Sequence, residues 1–417
     1  MTLEGRQVLF ISYNGMLDPL GQSQVLPYLR ELAGRGVRFT LISYERAAAL
    51  NAHGRAKCEE LRQHLATSGI EWRWLRYHQR PSLPATTYDV LAGIRQAQNL
   101  ARRNHIEMVH ARSHIPATIG LALKKRLGVK LIFDLRGLTA EEYVDAGHWA
   151  EDGLPYRITK RMERRILAGT DAVVTLTEKI WPIIKEWEGL RNREVFHEVV
   201  PCCADLELFD FSEQDRQRRR KELGLQDQCV LVYSGSIGGW YLTDKMADLF
   251  ATIDKQRSGW HFLWLTPGPK ELIRRLMVQR GINDGRYTII SAAPAEVPSY
   301  LSACDAGVAF YKPTLSRLAT SPVKVTEYLA CGLPVIINAG IGDSDALVTR
   351  EGVGTLVSKF TEGAYADAVT IIERLADQPE YTRKLARNVA ERLFDVRRVG
   401  AERYARLYEN VLTRTEA

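Results

Sequence analysis

The sequence of 417 residues contains only six cysteines, and they do not form a recognisable ligand pattern. They show no C-x-x-C spacing and no pairing with histidines, which argues against a zinc site or a disulfide framework. Long hydrophobic runs are also missing, because the apolar stretches have the length of strands and are too short to cross a bilayer. The N-terminus lacks a signal-peptide pattern. These absences predict a soluble, cytoplasmic protein without a metal site.

Nucleotide-binding fingerprints are missing as well. The loop 14–23 after the first predicted strand contains Gly15 and Gly21 but is not G-x-G-x-x-G, so a nicotinamide or flavin cofactor is not expected. The segment Gly235–Gly238 follows a strand, as a phosphate-binding turn does, but lacks the spacing of a Walker loop. Ser291 begins another small-residue loop, where a base or ribose could lie against the backbone. The loop 14–23 could also be an ordinary loop.

The charge of the chain is only mildly basic. The net charge is +7 and the charged residues make up 26% of the sequence, whereas 45% is apolar. This composition is typical of a globular protein, and the excess of cations suits an anionic substrate or an anionic membrane surface. A dense basic patch with interleaved aromatic residues is missing, so nucleic acid is not expected as a partner.

Strand and helix signals alternate along almost the whole chain, which predicts two α/β domains with parallel sheets. We expect an N-terminal domain over 1–200, a second domain over 201–395, and a C-terminal helix over 396–417 that could pack back on the first domain. The segment 201–228 is interpreted as a connection, and its run Arg218–Lys221 as a solvated helix face. Ligands of such sheets bind at the carboxyl ends of the strands.

The most informative stretch is T-S-P-V-K-V-T-E-Y-L-A-C-G-L-P-V-I-I, residues 320–337. It predicts a short helix with Ser321 as its N-cap and Pro322 at its first position, followed by a buried strand. Gly332 suits the left-handed residue that ends the helix. Lys324 is out of place in the first turn, because the positive end of the helix dipole disfavours a cation there.

A bound anion at this helix N-terminus would resolve the conflict, since the free N–H groups and Lys324 would both face it. Glu327 lies three residues later on the same helix face. The alternative is an ordinary surface pair between Lys324 and Glu327, with no ligand involved.

Two charged residues also follow a strand in the first half of the chain. Asp134 and Arg136 alternate past the predicted strand end, where an acid and a cation could face a ligand together; a salt bridge or a turn is the alternative. His110 and His114 lie nearby but lack a metal-binding spacing, and we interpret them as structural. Asp134 and Arg136 are therefore the candidate catalytic residues.

The stretch S-P-V-K-V-T-E-Y-L-A-C-G-L-P-V-I resembles the C-terminal signature of the retaining nucleotide-sugar glycosyltransferases of family 4, also called glycosyl transferases group 1. The resemblance implies a GT-B fold, with two Rossmann-like, doubly wound domains facing a central cleft. It implies that Glu327 holds the ribose of the donor, that Lys324 and its helix N-terminus face the phosphates, and that Gly21 approaches the diphosphate. The expected donor-binding residues are Gly21, Gly235, Ser236, Gly238, Ser291, Ser321, Lys324 and Glu327.

Three positions depart from the family pattern. Ala319 stands where many members have the first of two glutamates, and the Gly235–Trp240 segment lacks an arginine and a lysine that usually hold the diphosphate. Asp134 replaces a frequent histidine. We expect Lys324 to carry more of the phosphate charge than usual, without a metal ion.

The expected function is metal-independent transfer of a sugar, with retention, from a nucleoside diphosphate to a cell-envelope, exopolysaccharide or lipid-linked acceptor. The alternatives are an inactive sugar-nucleotide-binding scaffold and a GT-B sugar-nucleotide epimerase. The basic helix around 156–168 could in addition contact an anionic membrane. Its alternative role is an amphipathic helix that packs on its own sheet.

Overall fold

The structure, a computed structural model, describes residues 3–80 and 82–413. The chain forms two compact units. The first comprises the described residues up to Pro201 together with those from Val396 onward, and the second comprises Cys202–Asp395. The chain thus crosses from one unit to the other twice, and its last helix belongs to the first unit.

The secondary structure alternates between strands and helices, as the sequence predicts. The strands are β1 Gln7–Ser12, β2 Arg38–Glu45, β3 Ile70–Arg76, β4 Met108–Arg112, β5 Lys130–Asp134, β6 Ala172–Thr175, β7 Phe196–Val199, β8 Cys229–Ser234, β9 Trp260–Leu265, β10 Tyr287–Ile290, β11 Ala306–Ala309, β12 Val335–Asn338 and β13 Gly354–Val357. The α-helices are α1 Pro19–Gln24, α2 Leu26–Gly34, α3 Ala52–Thr67, α4 Ser82–Arg103, α5 His114–Leu127, α6 Thr139–Asp145, α7 Leu154–Gly169, α8 Trp181–Lys185, α9 Glu213–Leu223, α10 Thr243–Gln256, α11 Lys270–Val278, α12 Val297–Ser302, α13 Val323–Ala330, α14 Ser344–Glu351, α15 Glu362–Ala376, α16 Pro379–Leu393 and α17 Glu402–Thr413.

Each unit contains one parallel sheet. The strand order is β3-β2-β1-β4-β5-β6-β7 in the first unit and β10-β9-β8-β11-β12-β13 in the second. Both orders reverse direction once, between β1 and β4 and between β8 and β11. At such a reversal the connecting helices leave on opposite faces, which opens a crevice at the carboxyl ends of the two strands. The prediction of two doubly wound parallel sheets is confirmed.

The strand β8 of the second sheet has apolar side chains on both of its faces. Val230 and Val232 of β8 pack into one apolar cluster, whereas Leu231 and Tyr233 pack into another. Alternate side chains are therefore buried on opposite faces, as expected for a parallel sheet covered by helices on both sides. Within the described residues, no helix combines the length and the apolar character needed to cross a bilayer.

Two local expectations are wrong. The predicted loop 14–23 contains the helix α1, which starts at Pro19 because a proline at this position loses no helical hydrogen bond. The basic run of α9 is not simply solvated. Arg220 is buried and donates to the Asp305 carboxylate at 3.0 Å, and the Arg219 guanidinium lies 4.0 Å from the ring centre of Tyr300. These two arginines attach α9 to the rest of the second unit.

Candidate functional site

Lys324, the misplaced cation of the sequence, is buried at the start of α13, with 8% of its surface exposed. Its ammonium nitrogen lies 3.9 Å from the ring centre of Tyr241, and 5.3 Å and 5.2 Å from those of Tyr233 and Tyr311. It also donates a hydrogen bond to the Tyr311 hydroxyl at 3.3 Å. Aromatic faces attract cations, so these three rings, which we call the tyrosine cage, hold the ammonium in place.

The fold explains why these tyrosines meet. Tyr233 belongs to β8, and Tyr311 follows the neighbouring strand β11 by two residues. Tyr241 lies in the connection after β8 and forms an antiparallel bridge with Tyr311. The cage therefore lies at the carboxyl ends of β8 and β11, where the strand order of the second sheet reverses. This is the position at which doubly wound sheets bind ligands.

Lys324 forms no ion pair within the described part of the chain, although Glu327 lies one helical turn away on α13. The Glu327 carboxylate likewise has no hydrogen-bond donor among the described residues. Burial raises the pKa of Glu327 to about 7, and the nearby Lys324 charge opposes this shift. Buried charges are normally paired, because their transfer out of water is costly. This site thus contains a cation and an acid that form no ion pair with each other or with any other described residue.

The glycine segment after β8 lies against this site. A Cβ atom at Gly235 would be 3.3 Å from the Lys324 ammonium, and the φ of +128° is one that side chains rarely adopt. Gly238 also has a positive φ, of +75°, and donates its N–H to Thr243 at 3.1 Å. The Ser236 carbonyl accepts a hydrogen bond from the Tyr233 hydroxyl. The segment is thus part of the wall around Lys324.

The structure does not bring all predicted donor-binding residues to Lys324. Ser291 is exposed and follows β10, the edge strand of the sheet, two strands away from β8. Gly21 lies in α1 of the first unit, where a Cβ atom would be 2.2 Å from the Gly15 carbonyl oxygen. Its lack of a side chain is therefore explained by packing within its own unit. The donor-binding roles of Ser291 and Gly21 stay predictions.

The N-cap prediction for Ser321 is wrong. Pro322 is the N-cap residue of α13, and it is extended, with φ −72° and ψ 108°. The helix therefore begins at Val323, one residue later than predicted. The Ser321 hydroxyl instead accepts a hydrogen bond from the N–H of Cys202 at 3.1 Å. The end of the helix is as predicted, since Gly332 has a φ of +76° just after the C-cap Cys331.

Asp134 lies in a second ionic cluster, at the carboxyl end of β5 in the first unit. It is 1% exposed and accepts hydrogen bonds from the Tyr404 hydroxyl at 3.0 Å and from His110 Nε2 at 3.3 Å. Its other oxygen lies 3.6 Å from the Arg136 guanidinium. His110 Nδ1 is 2.6 Å from the Tyr408 hydroxyl. We call these five residues the Asp134 cluster.

The electrostatics of the Asp134 cluster differ from those around Lys324. Burial raises the pKa of Asp134, but the Arg136 charge and the His110 hydrogen bond outweigh this effect and hold it at about 2. Burial lowers the pKa of His110, which favours a neutral imidazole. Tyr404 and Tyr408 belong to α17, so the carboxylate attaches this last helix to the sheet. The geometry favours the ion-pair alternative, and the catalytic role of Asp134 and Arg136 stays a prediction.

Sequence reasoning missed the tyrosine cage and one further cation. Arg317 is 3% exposed, and its guanidinium lies 5.0 Å from the ring centre of Trp240. Burial raises the pKa of Tyr241, but the charge of Lys324, hydrogen bonds with Lys324 and Trp240, and to a lesser degree the charge of Arg317 outweigh this effect and lower the pKa. The available signal was the occurrence of aromatic residues at the end of β8, in the connection that follows it, and just after β11.

Comparisons with known proteins agree with this architecture. Residues 21–228 match the family model "Glycosyl transferase 4-like domain", and residues 228–374 match "Glycosyl transferases group 1". The structure of Anabaena HepE in complex with UDP and glucose is similar over 97% of this chain and 100% of that chain, with a TM-score of 0.68 and 15% identity. The fold is therefore GT-B. Because the two models together cover residues 21–374, most of the chain belongs to these two families of glycosyltransferase domain.

Two curated relatives are similar to parts of this chain. The putative teichuronic acid biosynthesis glycosyltransferase TuaH of Bacillus subtilis (strain 168) is 26% identical over 241 residues, which is 56% of each protein. D-inositol 3-phosphate glycosyltransferase of Mycobacterium bovis (strain BCG / Pasteur 1173P2) is 24% identical over 321 residues, or 74% of this chain and 63% of the relative. The matches thus span less than two thirds of the length of these relatives.

Proposed function

We propose that the second unit binds a nucleoside-diphosphate sugar at the start of α13 and that the protein transfers the sugar, with retention, to a cell-envelope, exopolysaccharide or lipid-linked acceptor. The observation that carries the proposal is the buried ammonium of Lys324, which has aromatic partners but no ion-pair partner among the residues that the structure describes. A donor diphosphate is an anion of the right kind to pair with it. Hydrogen bonds between charged groups are stronger than neutral ones, so this pairing supports tight binding.

The neighbouring groups support the same assignment. The free N–H groups of the first turn of α13 add to the positive potential that favours phosphate. Glu327, three residues on, is an acceptor for the ribose hydroxyls. Gly235 leaves room for the donor because it has no side chain beside Lys324. HepE has been determined with UDP and with UDP-glucose, and UDP is therefore the first ligand to test.

The proposal does not require a metal ion. Lys324 and the helix N-terminus supply positive charge at the phosphates, which is the role that a divalent cation has in other enzymes. In the first unit, we propose that Asp134 acts on the reaction through Arg136, because its low pKa makes it a weak base but a good partner for the guanidinium. Asp134 is then a positioning residue.

One observation favours a second candidate, an inactive scaffold that binds sugar nucleotides. Ala319, at the position of a family glutamate, is small and 2% exposed, and it offers no carboxylate for the donor sugar. The scaffold and the enzyme share the nucleotide site, so nucleotide binding alone does not separate them. Release of nucleoside diphosphate does.

The test is a thermal-shift panel of UDP, GDP, ADP and their sugars, followed by measurement of nucleoside-diphosphate release with a crude lipid and glycan extract as acceptor source. A ligand that binds only the native state raises the melting temperature. We expect one nucleotide to stabilise the protein and its sugar to be consumed, also in the presence of EDTA. Stabilisation without turnover would favour the scaffold. A panel without any stabilisation would contradict both.

A further inference from the structure

A separate basic pocket of about 470 Å³ lies in the first unit, after the carboxyl ends of β2 and β3. Three arginines line it: Arg46, which follows β2, and Arg76 and Arg80, which end and follow β3. Tyr77 and His78 form part of the same wall. The lining also includes two small residues, Ala47 and Ala48. The pocket is in the size range of sites for small ligands.

The pocket carries more positive than negative charge. Arg46 lies 3.5 Å from Asp18 in an exposed pair, whereas Arg76 and Arg80 form no ion pair with any described residue. Three guanidinium groups around one concave surface reinforce each other's potential and attract anions. Guanidinium groups are also the donors that best match the oxygens of a phosphate, because two parallel N–H groups can bind two oxygens.

The wall around His78 is held in place from the inside of the protein. His78 Nδ1 lies 2.6 Å from the carboxylate of Asp89, which is 1% exposed and belongs to α4. The same carboxylate accepts from the His78 backbone N–H at 3.1 Å and from the Tyr13 hydroxyl at 2.8 Å. With Nδ1 bonded to Asp89, Nε2 is the ring nitrogen left for a ligand. This fixed wall is what distinguishes the pocket from a chance group of surface arginines.

We propose that this pocket binds the phosphate group of a phosphorylated acceptor, with Arg76, Arg80 and His78 as its ligands. The inference rests on the proposed glycosyl transfer, since it assigns the chemical class of the acceptor. A single phosphate fills only part of the volume, so the pocket also accommodates part of the group that carries it. The exposed ring of Tyr88, whose centre is 5.1 Å from that of His78, offers an apolar face to that group.

The phosphate has two sources with the same chemistry, a soluble sugar phosphate or a lipid-linked phosphate. The side chains of Leu83 and Leu91 on α4 are 45% and 62% exposed, in the helix that also carries Tyr88. Apolar side chains in such a position can contact the acyl chains of a lipid. Both sources therefore belong in the test.

The test compares Arg76→Ala/Arg80→Ala with a matched control, Arg95→Ala/Arg102→Ala, whose arginines are exposed on α4 outside the pocket. Both variants lose two positive charges. The soluble arm titrates inorganic phosphate and glucose 1-phosphate by calorimetry at low salt. The lipid arm measures co-sedimentation with phosphatidylcholine vesicles that contain or lack phosphatidic acid. UDP is titrated into all three proteins in parallel.

Arg76→Ala/Arg80→Ala should weaken the binding of soluble phosphates or of phosphatidic acid vesicles at least roughly tenfold. Each hydrogen bond between an arginine and a phosphate contributes substantially to the binding free energy. The control should bind like the wild type, and UDP should bind equally to all three. Loss in the soluble arm supports a soluble acceptor, and loss in the vesicle arm alone supports a lipid-linked one. If wild type, control and pocket variant do not differ in either arm, or if the wild type binds neither phosphate, the inference is wrong. Failure of UDP to bind would instead count against the proposed donor site.

Discussion

The two units place ionic groups at corresponding positions, the carboxyl ends of central strands, but balance the charges differently. In the first unit, the Asp134 carboxylate is surrounded by Arg136, His110 and Tyr404, and its pKa is lowered to about 2. In the second, the Lys324 ammonium lies against three phenol rings and donates to the Tyr311 hydroxyl, and burial raises the pKa of Glu327 to about 7. The Asp134 carboxylate is paired with a cation of the chain, whereas Lys324 and Glu327 form no ion pair with each other or with any other described residue.

This difference separates a stabilising cluster from a binding site. A buried charge that the chain itself neutralises holds elements together, and removing one partner destabilises the fold. A buried charge without a counter-charge costs folding free energy unless a ligand supplies one, and such perturbed groups concentrate at functional sites. The same fold thus uses the ends of its strands for attachment of α17 in one unit and, by our proposal, for the donor in the other.

The largest effect on stability is expected in the Asp134 cluster. Asp134→Ala should lower the free energy of unfolding by about 3–5 kcal/mol, because it leaves Arg136 buried without its carboxylate. Denaturant unfolding of this variant and of the exposed control Asp152→Ala measures the difference. The wild type should also lose this stabilisation as the pH falls from about 4 towards 2. A carboxylate with a lowered pKa stabilises the fold fully above the pKa that it has in the unfolded state, and this stabilisation is lost as the pH falls through its folded-state pKa. Wild-type stability in Asp134→Ala would contradict the attachment role.

The second-largest effect is expected on UDP binding at Lys324. Lys324→Met should weaken UDP binding roughly ten- to a hundredfold, because a charged hydrogen bond contributes about 1.5–3 kcal/mol. Methionine fills nearly the same volume, so the melting temperature without ligand should stay near that of the wild type. Alanine is a poorer choice for this test, because the tyrosine cage would leave a cavity around its short side chain. Lys255→Met, at an exposed site of the same unit, is the control, and equal UDP affinity in both variants would make Lys324 structural.

Part of this contrast could be predicted from the sequence. The helix α13 and the strand β12 were identifiable because a proline, a glycine and an apolar run mark their ends within 18 residues. Lys324 was identifiable because its position conflicts with the helix dipole. These signals are local, and local patterns determine local structure well. Ser321 failed as a cap because its hydroxyl bonds to Cys202, which is 119 residues away.

The partners of both clusters could not be predicted, because strand order brings them together. Tyr233 and Tyr311 meet only because β8 and β11 are neighbours in the sheet, and nothing in a single sequence states that pairing. Tyr404 reaches Asp134 across 270 residues through the docking of α17. The charge balance of each cluster, which distinguishes their roles, depends on these distant contacts.

A smaller effect on stability and on UDP affinity is expected at Glu327, the acid beside Lys324. The folded-state pKa of Glu327 is above its unfolded value, so its ionisation lowers stability as the pH rises from about 4.5 to 7. Glu327→Gln should therefore gain stability relative to the wild type above pH 7 and lose the difference near pH 4. Melting curves across this range measure it. UDP should bind Glu327→Gln only severalfold more weakly, roughly 1 kcal/mol for one acceptor. A parallel pH dependence in both proteins would exclude Glu327 as the titrating group.

The smallest effect is expected on membrane binding by the basic helix α7, because acidic residues of the chain pair with some of its cations. Lys160 lies 2.8 Å from Glu141 and also binds Glu163, and Arg164 lies 2.9 Å from Glu188.

Only three cations of the predicted membrane-binding face therefore stay exposed without an acidic partner among the described residues: Arg157, Arg161 and Arg165. Each contributes up to about 1 kcal/mol when it reaches an anionic surface, but we expect the neighbouring acids to offset most of this attraction and to leave roughly 0.6 kcal/mol for the three arginines together. We expect weak, salt-sensitive binding to phosphatidylglycerol vesicles that falls only about threefold when the three arginines are replaced by glutamine. Co-sedimentation at low salt measures it. No binding by the wild type would end the membrane hypothesis for α7, and a loss far above threefold would mean that this helix, like the donor site, has charges that await an external partner.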